Sequence, residues 1–271
     1  MRKVEVIRKV NILLFMSTNN TNKLVSRRDF VNNTMFGLGL LSLTSFFELK
    51  QSTNKPINVL CVGAHPDDPE TGCGGTLAKF SRQGDKVTII YFTNGQAGIE
   101  GKSFKEAEFI RMEEARRACK ILGAKPVFLG QIDGNTIVDN SWVMKIKQLL
   151  ETEKPDILFS HWPIDTHKDH LVSSILVQKA YFQMKAIFPL FFYEVCTGRQ
   201  SHNFLPTDYV DITDVRQQKI DAVFCHASQG FNNIEYYQKE QGLIEEFRGL
   251  TIGTEAAEAF VRLNGPSSMI K

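Results

Sequence analysis

Two short segments concentrate the imidazoles and carboxylates of this chain. The first runs Ala64-His65-Pro66-Asp67-Asp68-Pro69-Glu70-Thr71-Gly72-Cys73-Gly74-Gly75. The second, His161-Trp162-Pro163-Ile164-Asp165-Thr166-His167-Lys168-Asp169-His170, holds three of the six histidines of the whole sequence. Packing does not account for such clustering; imidazole and carboxylate together suit Zn²⁺, which as a catalytic ion takes three protein ligands and keeps one position open. His65 and Asp68 stand three apart at a turn and can face one ion, with His170 closing the site from the second segment. Water at such an ion has its pKa lowered to about 7, and a carboxylate must still take the proton. Asp67 is adjacent to Asp68 but projects differently, which makes it the candidate base.

The pair AHPDD-x-E-x-GCGG and D-x-H-x-DH resembles the LmbE-like group of proteins, which includes the PIG-L-type N-acetylglucosaminyl de-N-acetylases. The likeness extends through Thr93–Gly98, Arg111 with Glu114, Asp133-Gly134, Val210–Thr213, Ser228-Gln229 and Glu258–Phe260, so it spans Ile57 to Arg262. The resemblance implies one Zn²⁺ per subunit on His65, Asp68 and His170, with Asp67 as general base. It also implies that His167 stabilises the oxyanion or protonates the leaving amine, that Asp169 fixes the His167 imidazole, and that Arg111 and Asp133 contact substrate. A salt bridge from Arg111 to Glu108 or Glu114 is the rival reading for that arginine. Two positions depart from the pattern: Pro69 stands where many relatives have Glu, and Lys168 where many have Pro. Neither is a ligand, but Lys168 bears on the charge a substrate carries. The implied reaction removes acetyl from an N-acetylated amino sugar or its conjugate. The alternative is a catalytically silent carbohydrate-binding protein on the same fold; a nucleotide-binding oxidoreductase lacks its G-x-G-x-x-G fingerprint here.

These residues must be positioned by the elements that precede them. Asn58–Ala64 and Lys86–Phe92 are short, nearly continuous apolar runs, as are Val127–Leu129, Ile157–Ser160 and Phe191–Val195, and each reads as a buried strand. Helical patterns fall between them, over 72–83, 104–122, 142–153 and 171–181, the second presenting Phe109, Met112, Ala115, Cys119 and Leu122 on one face. Alternation of this kind predicts an α/β fold, a Rossmann-like three-layer sandwich with a mainly parallel central sheet. Ligands in such sheets bind beyond the carboxyl ends of strands, where both motifs stand. The glycine cluster Gly72–Gly75 reads as a device for close packing of the helix beneath the metal loop.

With 42% hydrophobic and 23% charged residues, the 271-residue chain has a globular composition. Its formal charge is +2, yet the first fifty residues hold 8 Lys and Arg against 3 Asp and Glu, so the remainder is mildly acidic. No electrostatic footprint for nucleic acid is left. The five cysteines are scattered without C-x-x-C pairing, which favours packing over a disulfide framework or thiolate metal site; Cys73, beside the first motif, is left open. Residues 1–50 carry Ser26-Arg27-Arg28-Asp29-Phe30 before an uncharged run to Phe47, the pattern of a twin-arginine export signal. Met16 would start a signal of ordinary proportions. A linker over 51–56 and a deacetylase domain over 57–271 complete the expected organisation, in an exported, periplasmic or extracytoplasmic protein that touches membrane only through an uncleaved signal. Oligomeric state is left open.

Overall fold

A computed structural model describes residues 55–263. The expected export signal over 1–50, the Met16 start and most of the linker lie outside the described residues.

Strand β1 (Asn58–Gly63) shows why the runs are continuous rather than alternating. Val59 and Cys61 enter one apolar core with Leu77, Ile89 and Phe159, while Leu60 and Val62 enter a second core with Ile90, Leu158 and Leu176. Side chains alternate across a strand, so a strand buried on both faces must be apolar at every position. The first core is roofed by helices α1 (Asp68–Arg82) and α2 (Phe104–Leu122), and the second by α3 (Asn140–Glu153) and α4 (Lys168–Gln183). The architecture is the expected three-layer α/β sandwich.

Strands β2 (Lys86–Thr93), β3 (Ala124–Gln131), β4 (Ile157–His161) and β5 (Leu190–Tyr193) join β1 in parallel register. Two further strands, β6 (Asp208–Asp211) and β7 (Ala257–Arg262), complete a seven-stranded sheet of order β3-β2-β1-β4-β5-β7-β6. β7 runs antiparallel to both of its neighbours. Neither was among the five strands expected from sequence: Asp208–Asp211 begins and ends on Asp, and Ala257–Arg262 carries Glu258 and Arg262 among its apolar residues. Between β6 and β7 come α5 (Arg216–Val223), α6 (Ile234–Tyr237), a π-helical turn at Gln238–Gly242 and α7 (Leu243–Ile252). No helix among the described residues is long and apolar enough to cross a membrane.

The chain leaves β1 toward β2 on one side of the sheet and later enters β4 on the other. The crevice between the ends of β1 and β4 is therefore the topological switch point, where the connecting loops diverge and a ligand fits. Both motifs sit there. Helix α1 starts at Asp68, four residues earlier than expected, and packs tightly: a Cβ on Gly72 would stand 2.3 Å from the Tyr193 ring, and one on Gly75 2.6 Å from Ile212. The glycines let the helix lie against the sheet side, as read from sequence.

Helix α2 differs from its expected face. Ala115, Cys119 and Leu122 are buried, but Phe109 is exposed and Arg111 and Glu114 point inward instead. The reason is at the site, where both have buried partners.

Candidate active site

His65, Asp67, Asp68, Arg111, Asp133, His167 and His170 line one cavity of about 370 Å³, together with Thr71, Gln200, Gln229, Phe231 and Gln241 among others. Of the eight residues singled out in sequence, only Asp169 is sealed beneath the surface.

Asp67 precedes α1 with φ 124°, a conformation that a side-chain-bearing residue adopts only when its surroundings hold it. The holding groups are visible. Thr71 N–H and its hydroxyl donate to the Asp67 carbonyl at 2.9 and 3.0 Å. Arg111 Nη2 donates to Asp67 Oδ2 at 3.0 Å and to the Pro66 carbonyl, while Nη1 lies 3.9 Å from Asp133. Burial raises the Asp67 pKa and the Arg111 charge restrains it, leaving it at about 6. A carboxyl so placed exchanges a proton near neutrality.

Asp68 occupies the first turn of α1, where the helix dipole favours an anion. Its Oδ2 is 3.2 Å from His65 Nδ1, and its Oδ1 is 3.3 Å from His170 Nε2. Each of these two imidazoles has carboxylate on its opposite nitrogen. His65 Nε2 is 3.2 Å from both Asp133 and Asp169, and His170 Nδ1 is 3.2 Å from Asp165. Burial alone would lower both imidazole pKa values, but the carboxylates outweigh it; His65 is held well above the ordinary range and His170 at about 9. An environment that draws a proton this strongly also draws a cation. Ligand-type atoms lie within 4.8 Å of one another in three groups: His65 with His167 and His170, Asp68 with His161 and His170, and His65 with Asp133 and Asp169.

His161 was not singled out from sequence as a ligand, and its geometry explains its presence in the cluster. The Ala64 N–H donates to its Nε2 at 3.0 Å, so that lone pair is already committed. Burial and the neighbouring His170 lower its pKa to about 4. His161 thus anchors the start of the first motif as a neutral ring.

Asp169 acts differently from expectation. Its carboxylate accepts from Gly134 N at 2.7 Å and Thr136 Oγ1 at 2.6 Å and faces His65; only its backbone N–H reaches His167, donating to Nδ1 at 3.3 Å. As residues of the first turn of α4, Asp169 and its neighbour His170 diverge, which carries the Asp169 side chain toward β1 rather than back to its own N-cap. His167 is that N-cap; with Nδ1 accepting, Nε2 is left to carry the proton of the neutral ring. The rivals for Arg111 are engaged elsewhere: Glu108 accepts from Asn94, and Glu114 accepts from Ser228 N at 2.9 Å and Ser228 Oγ at 2.6 Å. Lys168 is exposed and absent from the cavity lining. Cys73 is buried beside Cys61, and burial keeps its thiol protonated well above the usual range. It belongs to the core.

Fold and site together define an α/β protein with a cation-attracting cluster of imidazoles and carboxylates at the switch point of its sheet. The family model PIG-L, described as GlcNAc-PI de-N-acetylase, matches residues 60–181. Diacetylchitobiose deacetylase of Thermococcus kodakarensis is 30% identical over 199 residues, covering 68% of this chain and 74% of that protein. The 4-oxalmesaconate hydratase of Pseudomonas putida is 26% identical, covering 67% of this chain and 77% of that protein. Among solved structures, the N,N'-diacetylchitobiose deacetylase of Pyrococcus horikoshii superposes with a TM-score of 0.69 at 24% identity, covering 93% of this chain and 98% of that one, a likeness of fold. The chain belongs to the PIG-L, or LmbE-like, family.

Proposed function

We propose that the protein is a zinc-dependent N-deacetylase acting on an N-acetylated amino sugar or its conjugate. The observation that carries this reading is Asp67: a carboxyl with pKa about 6, held at φ 124° by Arg111 and Thr71 in a cavity shared with His65, Asp68 and His170. Deacetylase relatives agree with it.

His65 Nδ1, Asp68 and His170 Nε2 are the ligands we assign, because both imidazoles have carboxylates behind them, the usual support for a metal-ligating histidine. The His161 lone pair is excluded by Ala64. Bound there, Zn²⁺ would supply Lewis acidity and lower the pKa of water. Asp67 takes the proton from the attacking water. Arg111 keeps the Asp67 carboxylate oriented and is a positioning residue. His167, with Nε2–H, donates to the oxygen that gains negative charge as the acetamide carbon becomes tetrahedral, or to the departing amine. Asp133 backs His65 while facing the cavity.

The test is acetate release from N-acetylglucosamine conjugates by zinc-loaded protein. Release that stops in Asp67→Asn supports the reading; binding without release in the unsubstituted protein would make it a carbohydrate-binding protein. The hydratase relative favours a second reading, addition of water to a carbon–carbon double bond, for which Asp67 would serve equally as base. Turnover of an unsaturated acid without acetate release would select it. Export by the twin-arginine segment is part of the proposal and is checked by fractionation of cells carrying Arg27→Lys with Arg28→Lys, which is expected to retain the protein in the cytoplasm.

A further inference from the structure

Residues 162–167, which link β4 to α4 and carry much of the second motif, have no helix or strand of their own. The end of β5 and the loop after it hold them instead, bond by bond. Trp162 N donates to the Tyr193 carbonyl, Thr166 N to the Gln200 carbonyl and His202 N to the Ile164 carbonyl, each at 3.0 Å. Asp165 and Ser201 face each other within this strip as an isolated antiparallel bridge. We propose that Ser201 is a positioning residue for the metal centre: its hydroxyl fixes the Asp165 carboxylate, and that carboxylate sets the His170 ring and the backbone of His167. The proposal rests on the deacetylase reading above for the roles of His170 and His167.

The direction of the hydroxyl is the first support. Ser201 is 2% exposed, and the Val195 N–H donates to its Oγ at 3.0 Å. That bond occupies a lone pair, and the single proton of the hydroxyl is left for another acceptor. The acceptor is Asp165 Oδ2, at 3.1 Å. The other oxygen, Oδ1, accepts from the His167 N–H at 2.8 Å and lies 3.2 Å from His170 Nδ1. The Asp165 side chain is fully enclosed, so bulk water does not compete for these contacts.

The His170 ring is the second support. His161 stacks on it with centroids 4.2 Å apart and planes 11° from parallel. Stacking fixes the plane of the ring and leaves rotation within that plane free, so the contact at Nδ1 decides where Nε2 points. That contact with Asp165 is close but not well aligned, and Nδ1 has no hydrogen bond to another group among the described residues. A ring with one oblique acceptor takes its orientation from wherever that acceptor is held, and here Ser201 and the His167 N–H hold it. A carboxylate behind a metal-ligating imidazole fixes its tautomer and direction, and its loss costs about 10- to 100-fold in metal affinity or activity. Ser201 acts one bond further out.

The experiment measures zinc affinity by competition with a chromophoric chelator and ligand geometry by the visible absorption of the Co²⁺-substituted protein, alongside acetate release. Ser201→Ala is expected to weaken zinc binding about three- to tenfold, the loss of one hydrogen bond, and to shift the Co²⁺ spectrum. Ser201→Thr, which keeps the hydroxyl, is expected to restore both. Thr166→Val is the control: it removes another hydroxyl bond between the same two segments, from Thr166 Oγ1 to the Arg199 carbonyl at 3.2 Å, without touching Asp165. It is expected to leave affinity and spectrum unchanged. In an Asp165→Ala background, Ser201→Ala is expected to add less than about twofold, because the residue it acts through is gone. Unchanged affinity and spectrum in Ser201→Ala overturn the proposal, as does an equal loss in Thr166→Val, which would mark a loosened loop. The expected zinc and Co²⁺ pattern with no acetate released from any N-acetyl sugar counts against the deacetylase reading and supports the role of Ser201.

Discussion

Two buried charge clusters flank helix α1, and they are built in opposite ways. On one side Lys219 of α5 is enclosed between Glu245 of α7, at 3.0 Å, and Glu258 of β7, at 2.7 Å. Every partner there is matched: Arg216 supplies a second cation to Glu245 at 3.0 Å, Glu258 also accepts from Gly75 N and Thr76 N, and Tyr237 donates to Glu245 at 2.6 Å. Burial would lower the Lys219 pKa, but the two carboxylates raise it well above the usual lysine range. On the other side Asp67, Asp68, Asp133, Asp165 and Asp169 surround four imidazoles and Arg111, with Asp67 in a strained backbone and His170 Nδ1 lacking a well-aligned hydrogen bond. Charge that is balanced and fully bonded holds the fold; charge left in excess of its partners is held by the fold for chemistry. Residue type alone does not separate the two, since both are buried ion pairs around the same helix.

The contrast can be broken by substitution. Asp67→Asn is expected to lower deacetylation about 100- to 10,000-fold, the range for loss of a general base, with little change in melting temperature. A fall in stability as large as that at Lys219 would erase the distinction. Lys219→Ala is expected to cost about 3–5 kcal/mol in urea denaturation, because buried Glu258 loses its counter-charge and Glu245 keeps only Arg216, while activity per folded molecule is preserved. Asp169→Asn sharpens the site side: the carboxylate supporting His65 is weakened, and zinc affinity or activity should fall about 10- to 100-fold. The smallest effect is expected at Lys79→Ala, whose partner Asp214 is largely solvent-facing; the change in stability should stay within about 0.5 kcal/mol.

Much of this arrangement was legible in the sequence, for identifiable reasons. Strands buried on both faces write themselves as apolar runs, so β1, β2 and β4 were located, and the residues just after β1 and β4 had to meet at the sheet edge. β6 and β7 were not read as strands because charged residues, Asp208 and Asp211 in one and Glu258 and Arg262 in the other, interrupt any apolar run. The family resemblance pointed to Arg111 at the site, but the helix pattern hid the inward turn of Arg111 and Glu114: the apolar residues of α2 suggest Phe109 as core, while the helix is oriented by polar partners far away in sequence, Asp67 and Ser228. The Asp169 carboxylate faces His65 rather than the His167 expected from sequence, since neighbours along the chain look like partners until the helix turn sends them apart. The Lys219 cluster left no motif at all. Its members lie in α5, α7 and β7, and only tertiary structure brings them together.

The His65–Asp169 contact joins residues 104 apart in the chain, so neither half of the cluster is a binding site by itself. A cation that needs both halves has affinity for the folded chain and little for the unfolded one. By mass action such a ligand, free at a hundred times its Kd, deepens the folded minimum by about 2.7 kcal/mol. The same crevice that positions the chemistry would then act as a clasp between the first and second halves of the sheet, and zinc would raise the melting temperature even of the inactive Asp67→Asn protein.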